Sequence, residues 1–315
     1  MEKIRIGIST CLMGEPVRYD GGHAHDRYVT DTLARYVEFV PVCPELEAGL
    51  EVPREPMRLV GDPESPRLIT VRTKRDMTEV LVTWAGKRVR ELENEGLCGF
   101  IFKSKSPSSG MERVKVYSES GTPVKKGVGL FARAFMEHFP LIPVEEEGRL
   151  HDLRLRENFI ERIFILKRWR HTQAERKSRG HLVSFHTAHK LLILSHGTKH
   201  YREMGRLVAQ AKDLKIDEVY ARYESLLMEA SRLLATVKKH TNVLQHMMGY
   251  FKKQLGPDEK QELLEVIGAY HDEFIPLIVP ITLFRHYVRK YDQAYLRDQV
   301  YLSPHPLELK LRNHA

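Results

Sequence analysis

The sequence of 315 residues is poor in cysteine and has no long apolar run. An odd, small number of cysteines does not form a disulfide framework, so the three thiols are core residues, a catalytic thiol or metal ligands. No stretch approaches the ~18 consecutive apolar residues that a membrane-spanning helix needs. The first ten residues, MEKIRIGIST, place charges within their only apolar stretch and lack the pattern of a secretory signal. We therefore expect a cytoplasmic protein.

The net charge of +8 is unevenly distributed along the chain. Residues 1–150 hold 22 basic and 23 acidic side chains, whereas residues 151–315 hold 28 basic and 19 acidic ones. A near-neutral half followed by a basic half indicates that one half carries the chemistry and the other binds a polyanion. The alternative is a solvated helical surface that happens to be basic.

Two different hydrophobic patterns predict two domains. The first half alternates short apolar runs such as IRIGIS, EFVPV and GFIF with amphipathic stretches, which is typical of βαβ units in a parallel sheet. In the second half, apolar residues recur at spacings of three and four, which indicates a set of helices. The pattern changes in the segment PLIPVEEEGRLHD, so we expect an α/β domain over residues 1–145 and an all-α domain over residues 146–315.

Reactive side chains follow three of the predicted strands. Cys11 comes directly after KIRIGIST, Cys43 after EFVPV, and a serine-rich loop at 104–109 after GFIFK. Ligands of open parallel sheets bind beyond the carboxyl ends of the strands, so these groups are expected to share one crevice. Cys98 precedes its strand, which at ~3.3 Å per residue puts it ~17 Å from the other thiols. It is expected to be a structural thiol.

Three motifs in order resemble the thiouracil desulfidase family over most of residues 1–140. They are STCLMGEPVRYDGG, PVCPELEAGLEVPREP and KSKSPSSGMERVKVY. The second half, from LRENFIERIF to SPHPLELKLR, resembles the YbgA-like domain. The fused architecture is similar to that of bacterial desulfidases that remove sulfur from 4-thiouridine in transfer RNA.

The resemblance implies a [4Fe–4S] cluster held by three cysteines, with one iron free to take the substrate sulfur. By motif position, Cys11 and Cys43 are the first two ligands. The family loop reads SPSCG, and the position of its cysteine is Ser109 here. Three alternatives follow: Ser109 ligates as an alkoxide, Cys98 supplies the third thiolate, or the site holds a different cluster or none. Iron–sulfur clusters are normally held by thiolates, so the serine is a marked departure from the family pattern.

The resemblance also assigns catalytic roles to Glu45 and Ser106. A carboxylate beside the cluster suits a general base that activates water for addition to a thiocarbonyl carbon. Ser106 would hold that water or the pyrimidine edge. Further substrate contacts are expected from side chains in both halves: Arg18, Asp20, Lys103, Lys105, His186, His189 and Lys190. For these residues the alternatives are turn formation, solvation and helix packing.

The expected activity is therefore iron–sulfur-dependent, non-redox desulfuration of 4-thiouridine in transfer RNA, with the basic half binding the RNA. Two other functions remain open at this point. One is a non-enzymatic RNA-binding protein whose cluster site has decayed at Ser109. The other is a desulfidase of free thiopyrimidines, in which the basic half serves stability or assembly.

Overall fold

A computed structural model of the protein describes residues 3–118, 120–175 and 177–313. The chain forms two compact units, residues 1–152 and residues 153–315. The predicted boundary after residue 145 falls within the strand Val144–Glu146. The unit boundary therefore comes later than predicted, after Asp152.

The first unit contains eight strands within the described residues. In chain order they are β1 (Ile4–Ser9), β2 (Val37–Val42), β3 (Met57–Val60), β4 (Arg67–Thr70), β5 (Gly99–Phe102), β6 (Val114–Tyr117), β7 (Pro123–Gly127) and β8 (Val144–Glu146). Four of them form a sheet in the order β2-β1-β5-β8, and each pairing in it is parallel. The predicted parallel-sheet α/β domain is confirmed.

A close contact between the two central strands explains a glycine in the first apolar run. A Cβ atom at Gly7 would lie 2.2 Å from the ring of Phe100 on the neighbouring strand β5. Phe100 in turn stacks on Phe102 with ring centroids 4.3 Å apart and contacts Phe131 and Phe135. The aromatic core therefore packs directly on the backbone of β1, which fixes the strand that precedes Cys11.

The other four strands form a second sheet, in addition to the single predicted one. Its order is β4-β3-β6-β7, with β3 and β6 parallel and the two outer pairings antiparallel. The α-helices of the unit, within the described residues, are α1 (Pro44–Glu47), α2 (Thr78–Leu92) and α3 (Leu130–His138). Buried side chains of α2 and the second sheet share one apolar cluster, which includes Leu59, Leu68, Leu81 and Val116.

The second unit consists of helices, as predicted. They are α4 (Leu153–Ala174), α5 (Arg179–His196), α6 (Thr198–Ala209), α7 (Ile216–Arg232), α8 (Val237–Gly249), α9 (Pro257–His271), α10 (Ile278–Lys290) and α11 (Ala294–Arg297). Trp169 is fully buried between α4, α5 and α7, where its ring contacts Phe185, Tyr220 and Tyr223. Among the described residues, no helix is both long enough and apolar enough to cross a membrane.

Candidate active site

The carboxyl ends of β1, β2 and β5 surround one cavity in the first unit. Its volume is about 480 Å³. Cys11 lies in the short 3₁₀ helix Thr10–Met13 that follows β1, and Cys43 is the residue before α1. Both thiols and Ser109 line the cavity, together with Glu45 and Ser106. The structure thus brings together the groups that the strand ends predict.

The two thiols lie in a partly dry and partly cationic environment. Cys43 is 6% exposed, and Cys11 is half-buried. Burial raises the pKa of each thiol to about 11. The neighbouring Cys43 also raises the pKa of Cys11. Lys103 acts in the opposite direction and lowers the pKa of Cys11. Two such thiols stay protonated at neutral pH unless a metal displaces their protons.

Cys98 lies at the other end of the sheet. It precedes β5, and its backbone N–H donates to Arg5 O near the start of β1. The residue is 1% exposed and does not line the cavity. The structure therefore agrees with a structural thiol and offers Ser109, rather than Cys98, at the third position of the site.

The serine loop is held in place by the amino end of α3. Ser108 O accepts hydrogen bonds from the N–H groups of Phe131 and Ala132, and Gly129 N donates to Gly110 O at 2.8 Å. This approach requires a glycine, because a Cβ atom at Gly129 would lie 2.5 Å from the carbonyl carbon of Ser108. The contact places Ser109, which is 3% exposed, at the cavity wall.

Glu45 is fixed by two partners on either side of its carboxylate. Ser108 Oγ donates to Glu45 Oε1 at 2.6 Å, and Arg54 Nη2 lies 3.3 Å from Glu45 Oε2. The side chain of Arg54 is 8% exposed and also donates to Val17 O at 3.2 Å. Both partners were missed by the sequence analysis. Arg54 lies in the motif that ends VPREP, but the sequence contains no signal that pairs it with Glu45.

Ser106, the first serine of the segment SPSSG, organises the serine loop through hydrogen bonds. Its hydroxyl oxygen accepts hydrogen bonds from the N–H groups of Ser108 at 3.3 Å and Ser109 at 3.2 Å. It also lies 2.9 Å from Ser108 Oγ. Ser106, Ser108 and Glu45 therefore form one hydrogen-bonded chain, and Ser106 and Glu45 line the cavity. A water molecule beside this chain would have acceptor and donor groups within reach.

The cations predicted to contact substrate differ in their availability. Lys103 Nζ lies 2.6 Å from Glu147 Oε1 and also donates to Ser104, so its charge is largely neutralised within the protein. The prediction that Lys103 binds a phosphate is therefore not supported by the structure. Lys105 is exposed at the cavity and has no ion-pair partner among the described residues.

Arg18 and Asp20 mainly build a turn beside the cavity. Arg18 N donates to Gly22 O at 3.1 Å, and Asp20 Oδ1 accepts from Gly22 N at 3.0 Å. This hydrogen bond holds the pKa of Asp20 below its usual value. Arg18 lines the cavity, whereas Asp20 lies outside its lining. Arg18 Nε is 3.5 Å from Asp20 Oδ1. Turn formation therefore accounts for Asp20.

The histidines that were predicted to contact RNA belong to the core of the second unit. His186 is 6% exposed, with Nδ1 3.1 Å from Tyr223 Oη, and His189 is 4% exposed and stacks on Phe185. Burial lowers the pKa of His186 to about 4 and that of His189 to about 3, so both are neutral. The structure supports helix packing for them. Lys190 is half-buried, with its ammonium 5.6 Å from the ring of Tyr201.

Comparisons with known proteins agree with this division of the chain. A family model described as 2-thiouracil desulfurase matches residues 6–147, and one described as protein of unknown function DUF1722 matches residues 190–306. The chain is similar to the uncharacterized protein YbgA of Escherichia coli, at 30% identity over 161 residues, 51% of this chain and 95% of YbgA. It is also similar to the uncharacterized protein YbbK of Bacillus subtilis, at 32% identity over 108 residues, 33% of this chain and 71% of YbbK.

A solved structure is also similar to part of the chain. It is described as the [4Fe–4S]-dependent thiouracil desulfidase TudS, with a TM-score of 0.40 and 28% identity, covering 49% of this chain and 97% of TudS. The sheet and thiol-lined cavity of the first unit, with the family-model match, define a 2-thiouracil desulfurase domain. The chain belongs to the YbgA family through its second half, and its first half is a 2-thiouracil desulfurase domain.

Proposed function

We propose that the protein replaces the sulfur of a thiolated pyrimidine by oxygen, and that its substrate is 4-thiouridine in transfer RNA. The observation that carries the proposal is the presence of Cys11, Cys43 and Glu45 on one cavity. A volume of about 480 Å³ has room for a pyrimidine base extruded from the RNA. A transfer-RNA substrate implies a cytoplasmic protein.

We propose a [4Fe–4S] cluster as the cofactor, held by Cys11, Cys43 and Ser109. Two of these three residues are cysteines, the usual ligands of an iron–sulfur cluster, and both face one cavity. Their thiols have raised pKa values and would become thiolates on metal binding. The third donor is a hydroxyl oxygen, which is a harder ligand than sulfur. When bound, the cluster would supply a Lewis-acidic iron for the thiocarbonyl sulfur.

The chain's own part in the reaction is to activate and orient water. Glu45 would accept a proton from a water molecule that adds to the C4 carbon, the carbon–sulfur bond would break, and the sulfur would leave as hydrogen sulfide. The overall change is C=S plus H₂O giving C=O plus H₂S, without oxidation or reduction. Arg54 and Ser108 fix both carboxylate oxygens of Glu45. A base held in this way loses little freedom in the transition state.

Basic side chains on the second unit support RNA as the substrate. Lys199, Arg202 and Arg206 follow one another at spacings of three and four on α6, which puts them on one face of the helix. All three are exposed, and no ion-pair partner is found for them among the described residues. We refer to these three residues as the α6 basic face. Unpaired cations in a row suit the phosphates of a folded RNA.

The proposed function is tested by sulfide release from two substrates. The full-length protein, with iron and sulfide reconstituted in the absence of oxygen, is incubated with transfer RNA containing 4-thiouridine or with free 4-thiouracil. We expect sulfide and uridine from the RNA at a rate well above that with the free base. Faster turnover of the free base would favour a desulfidase of free thiopyrimidines. No sulfide from either substrate would favour a non-enzymatic RNA-binding role.

A further inference from the structure

The second unit contains a buried cluster of ionisable side chains that the proposed desulfuration does not use. Glu157 and Glu161 lie one turn apart on α4, so both project from the same face of the helix. His196 ends α5, His305 follows α11, and Arg312 lies near the carboxyl terminus. The side chains of Glu161, His196 and Arg312 are each at most 3% exposed.

Arg312 is shared between the two carboxylates of this cluster. Its Nη2 lies 2.9 Å from Glu161 Oε1 and its Nε lies 3.3 Å from Glu157 Oε1. Its Nη1 donates to Tyr301 O at 2.6 Å, which holds the guanidinium in place. One arginine thus faces two carboxylates. Burial and the neighbouring carboxylate of Glu161 raise the pKa of Glu157, because two buried carboxylates repel each other. A further cation would relieve this repulsion.

Two histidines at the cluster are locked in the tautomer that metal ligands use. His196 Nδ1 lies 2.6 Å from Leu233 O, and His305 Nδ1 lies 3.2 Å from Pro306 O. Because a carbonyl oxygen only accepts hydrogen bonds, both Nδ1 atoms carry the hydrogen, and in a neutral ring the lone pair is on Nε2. A backbone carbonyl on the other ring nitrogen is the usual outer partner of a metal-binding histidine.

The Nε2 atoms of both histidines are buried and have no hydrogen-bond partner in the part of the chain that the structure describes. His196 Nε2 lies 3.4 Å from Glu161 Oε2. His305 is 6% exposed. A metal ion is one partner that such a buried nitrogen can take.

We propose that Glu157, Glu161 and His305 bind a divalent transition-metal ion in the helical unit. One ligand atom from each lies within 4.8 Å of the others. Two atoms that are each ~2.1 Å from one ion are at most ~4.2 Å apart, so ligation requires only small side-chain rotations. A cavity of about 100 Å³ adjoins the two carboxylates; Arg154, His196 and Arg312 also line it, and His305 lies outside its lining. It gives room for water in the open coordination positions.

The donor types define the class of ion. Two carboxylates and an imidazole suit Zn²⁺, Mn²⁺ or Fe²⁺, and they differ from the thiol-rich site of the first unit. Arg312 contacts Oε1 of Glu157 and Oε1 of Glu161. The other oxygen of Glu161, Oε2, faces His196. Arg312 and His196 are therefore positioning residues of the site, which orient the two carboxylates.

The test measures Zn²⁺ binding to the full-length chain with the thiol site removed. In the Cys11→Ser/Cys43→Ser background, metal-free protein is titrated with Zn²⁺ by calorimetry, and bound metal is counted after desalting. We expect one equivalent. His305→Gln should weaken binding at least about tenfold. His189→Gln is the matched control, because its Nδ1 also donates to a carbonyl oxygen, that of Phe185, at 2.8 Å and its Nε2 is also buried and unpartnered.

Equal affinities for His305→Gln and His189→Gln would overturn the proposal, as would the absence of a bound equivalent in the parent background. Co²⁺ provides a second measurement that needs no variant at the cluster. Bound at nitrogen and oxygen ligands, it should give a visible ligand-field spectrum without sulfur-to-metal charge-transfer bands. A parent protein that gives no such spectrum would also contradict the site. Neither result depends on desulfidase activity, so this inference and the proposed function fail separately.

Discussion

At the residue scale, Glu45 is the side chain on which the proposed chemistry depends. It lines the cavity beside Cys43 and is fixed by Arg54 and Ser108. We expect Glu45→Gln to lower the rate of sulfide release by about 10²–10⁴-fold, since this is the range that a positioned general base contributes. Iron content and the visible spectrum should be unchanged, because Glu45 is beside the ligand set and not part of it.

Glu47→Gln is the control for this substitution. Glu47 is on the same short helix but outside the cavity lining, where Oε2 lies 3.0 Å from Arg88 Nε and Oε1 accepts from Cys43 N. The amide oxygen of glutamine can still accept that hydrogen bond. We expect nearly full activity. If both variants lost activity equally, or if Glu45→Gln lost its iron, the role given to Glu45 would be wrong.

The third ligand position is tested from two sides. Ser109→Cys should increase the iron retained in air, because thiolate is the better ligand for cluster iron. Cys98→Ala should leave iron content unchanged and cost about 1–2 kcal/mol of unfolding free energy, since it removes a buried sulfur from the core. Iron analysis and thermal unfolding check both. Iron loss in Cys98→Ala with no gain in Ser109→Cys would make Cys98 the ligand.

The sequence predicted the residues that follow strands but not the partners that hold them. Cys11 and Cys43 could be placed on one cavity because parallel strands end at the same edge of their sheet. Arg54 could not be paired with Glu45, because the contact depends on the path of the loop between them. The polar residues His186 and His189 looked available on a basic helix, but hydrophobic periodicity alone does not show that a histidine is packed against aromatic rings.

At the element scale, the contact between α3 and the serine loop is the one that shapes the third ligand position. We expect Gly129→Ala to lower the free energy of unfolding by about 1–3 kcal/mol, because its Cβ would overlap the backbone of Ser108. Displacement of Ser109 should also reduce iron content. Thermal unfolding and iron analysis measure the two effects.

Gly86→Ala is the matched glycine variant. Gly86 is exposed within α2, and a Cβ there meets no atom within 4 Å. Because alanine is the better helix former, this change should raise the free energy of unfolding by about 0.5–1 kcal/mol and leave iron content unchanged. Loss of iron in Gly86→Ala, or full iron retention in Gly129→Ala, would contradict the role given to the α3 contact.

The element classes were predictable where hydrophobic periodicity was sustained. The long helices of the second unit and the strands β1, β2 and β5 follow directly from their apolar spacing. The second sheet was harder, because β3 and β6 have four residues each and pair across a long stretch of sequence. The domain boundary was predicted too early, because the short β8 lies in a segment rich in glutamate and was not predicted as a strand.

At the scale of the whole molecule, the excess of basic residues in the second half is expected to give salt-dependent RNA binding. Affinity of the full-length protein for transfer RNA should fall steeply with added salt, because bound cations displace counterions from the phosphates. Replacing Lys199, Arg202 and Arg206 of the α6 basic face by alanine should weaken binding and reduce the salt slope by about 0.7–0.9 per lost contact. Fluorescence anisotropy over a range of salt concentrations measures both.

The α6 basic face has a matched control on another helix of the same unit. Lys238 is exposed on α8, and Lys252 and Lys253 are exposed in the turn after it. Replacing these three by alanine removes the same charge from a different part of the unit. An equal loss of affinity in both triple variants would indicate diffuse attraction only. An unchanged salt slope in the α6 variant would exclude this face as the RNA-binding surface.

The proposed activity is hydrolysis of a thiocarbonyl group in transfer RNA, with Glu45 as the general base on the cavity that Cys11 and Cys43 line. The most direct measurement compares sulfide release from 4-thiouridine-containing transfer RNA by the anaerobically reconstituted full-length protein and by its Glu45→Gln variant at equal iron content. We expect one sulfide per uridine formed by the parent protein and a rate lower by about 10²–10⁴-fold in the variant. Equal rates, or no sulfide from an iron-loaded parent protein, would contradict it.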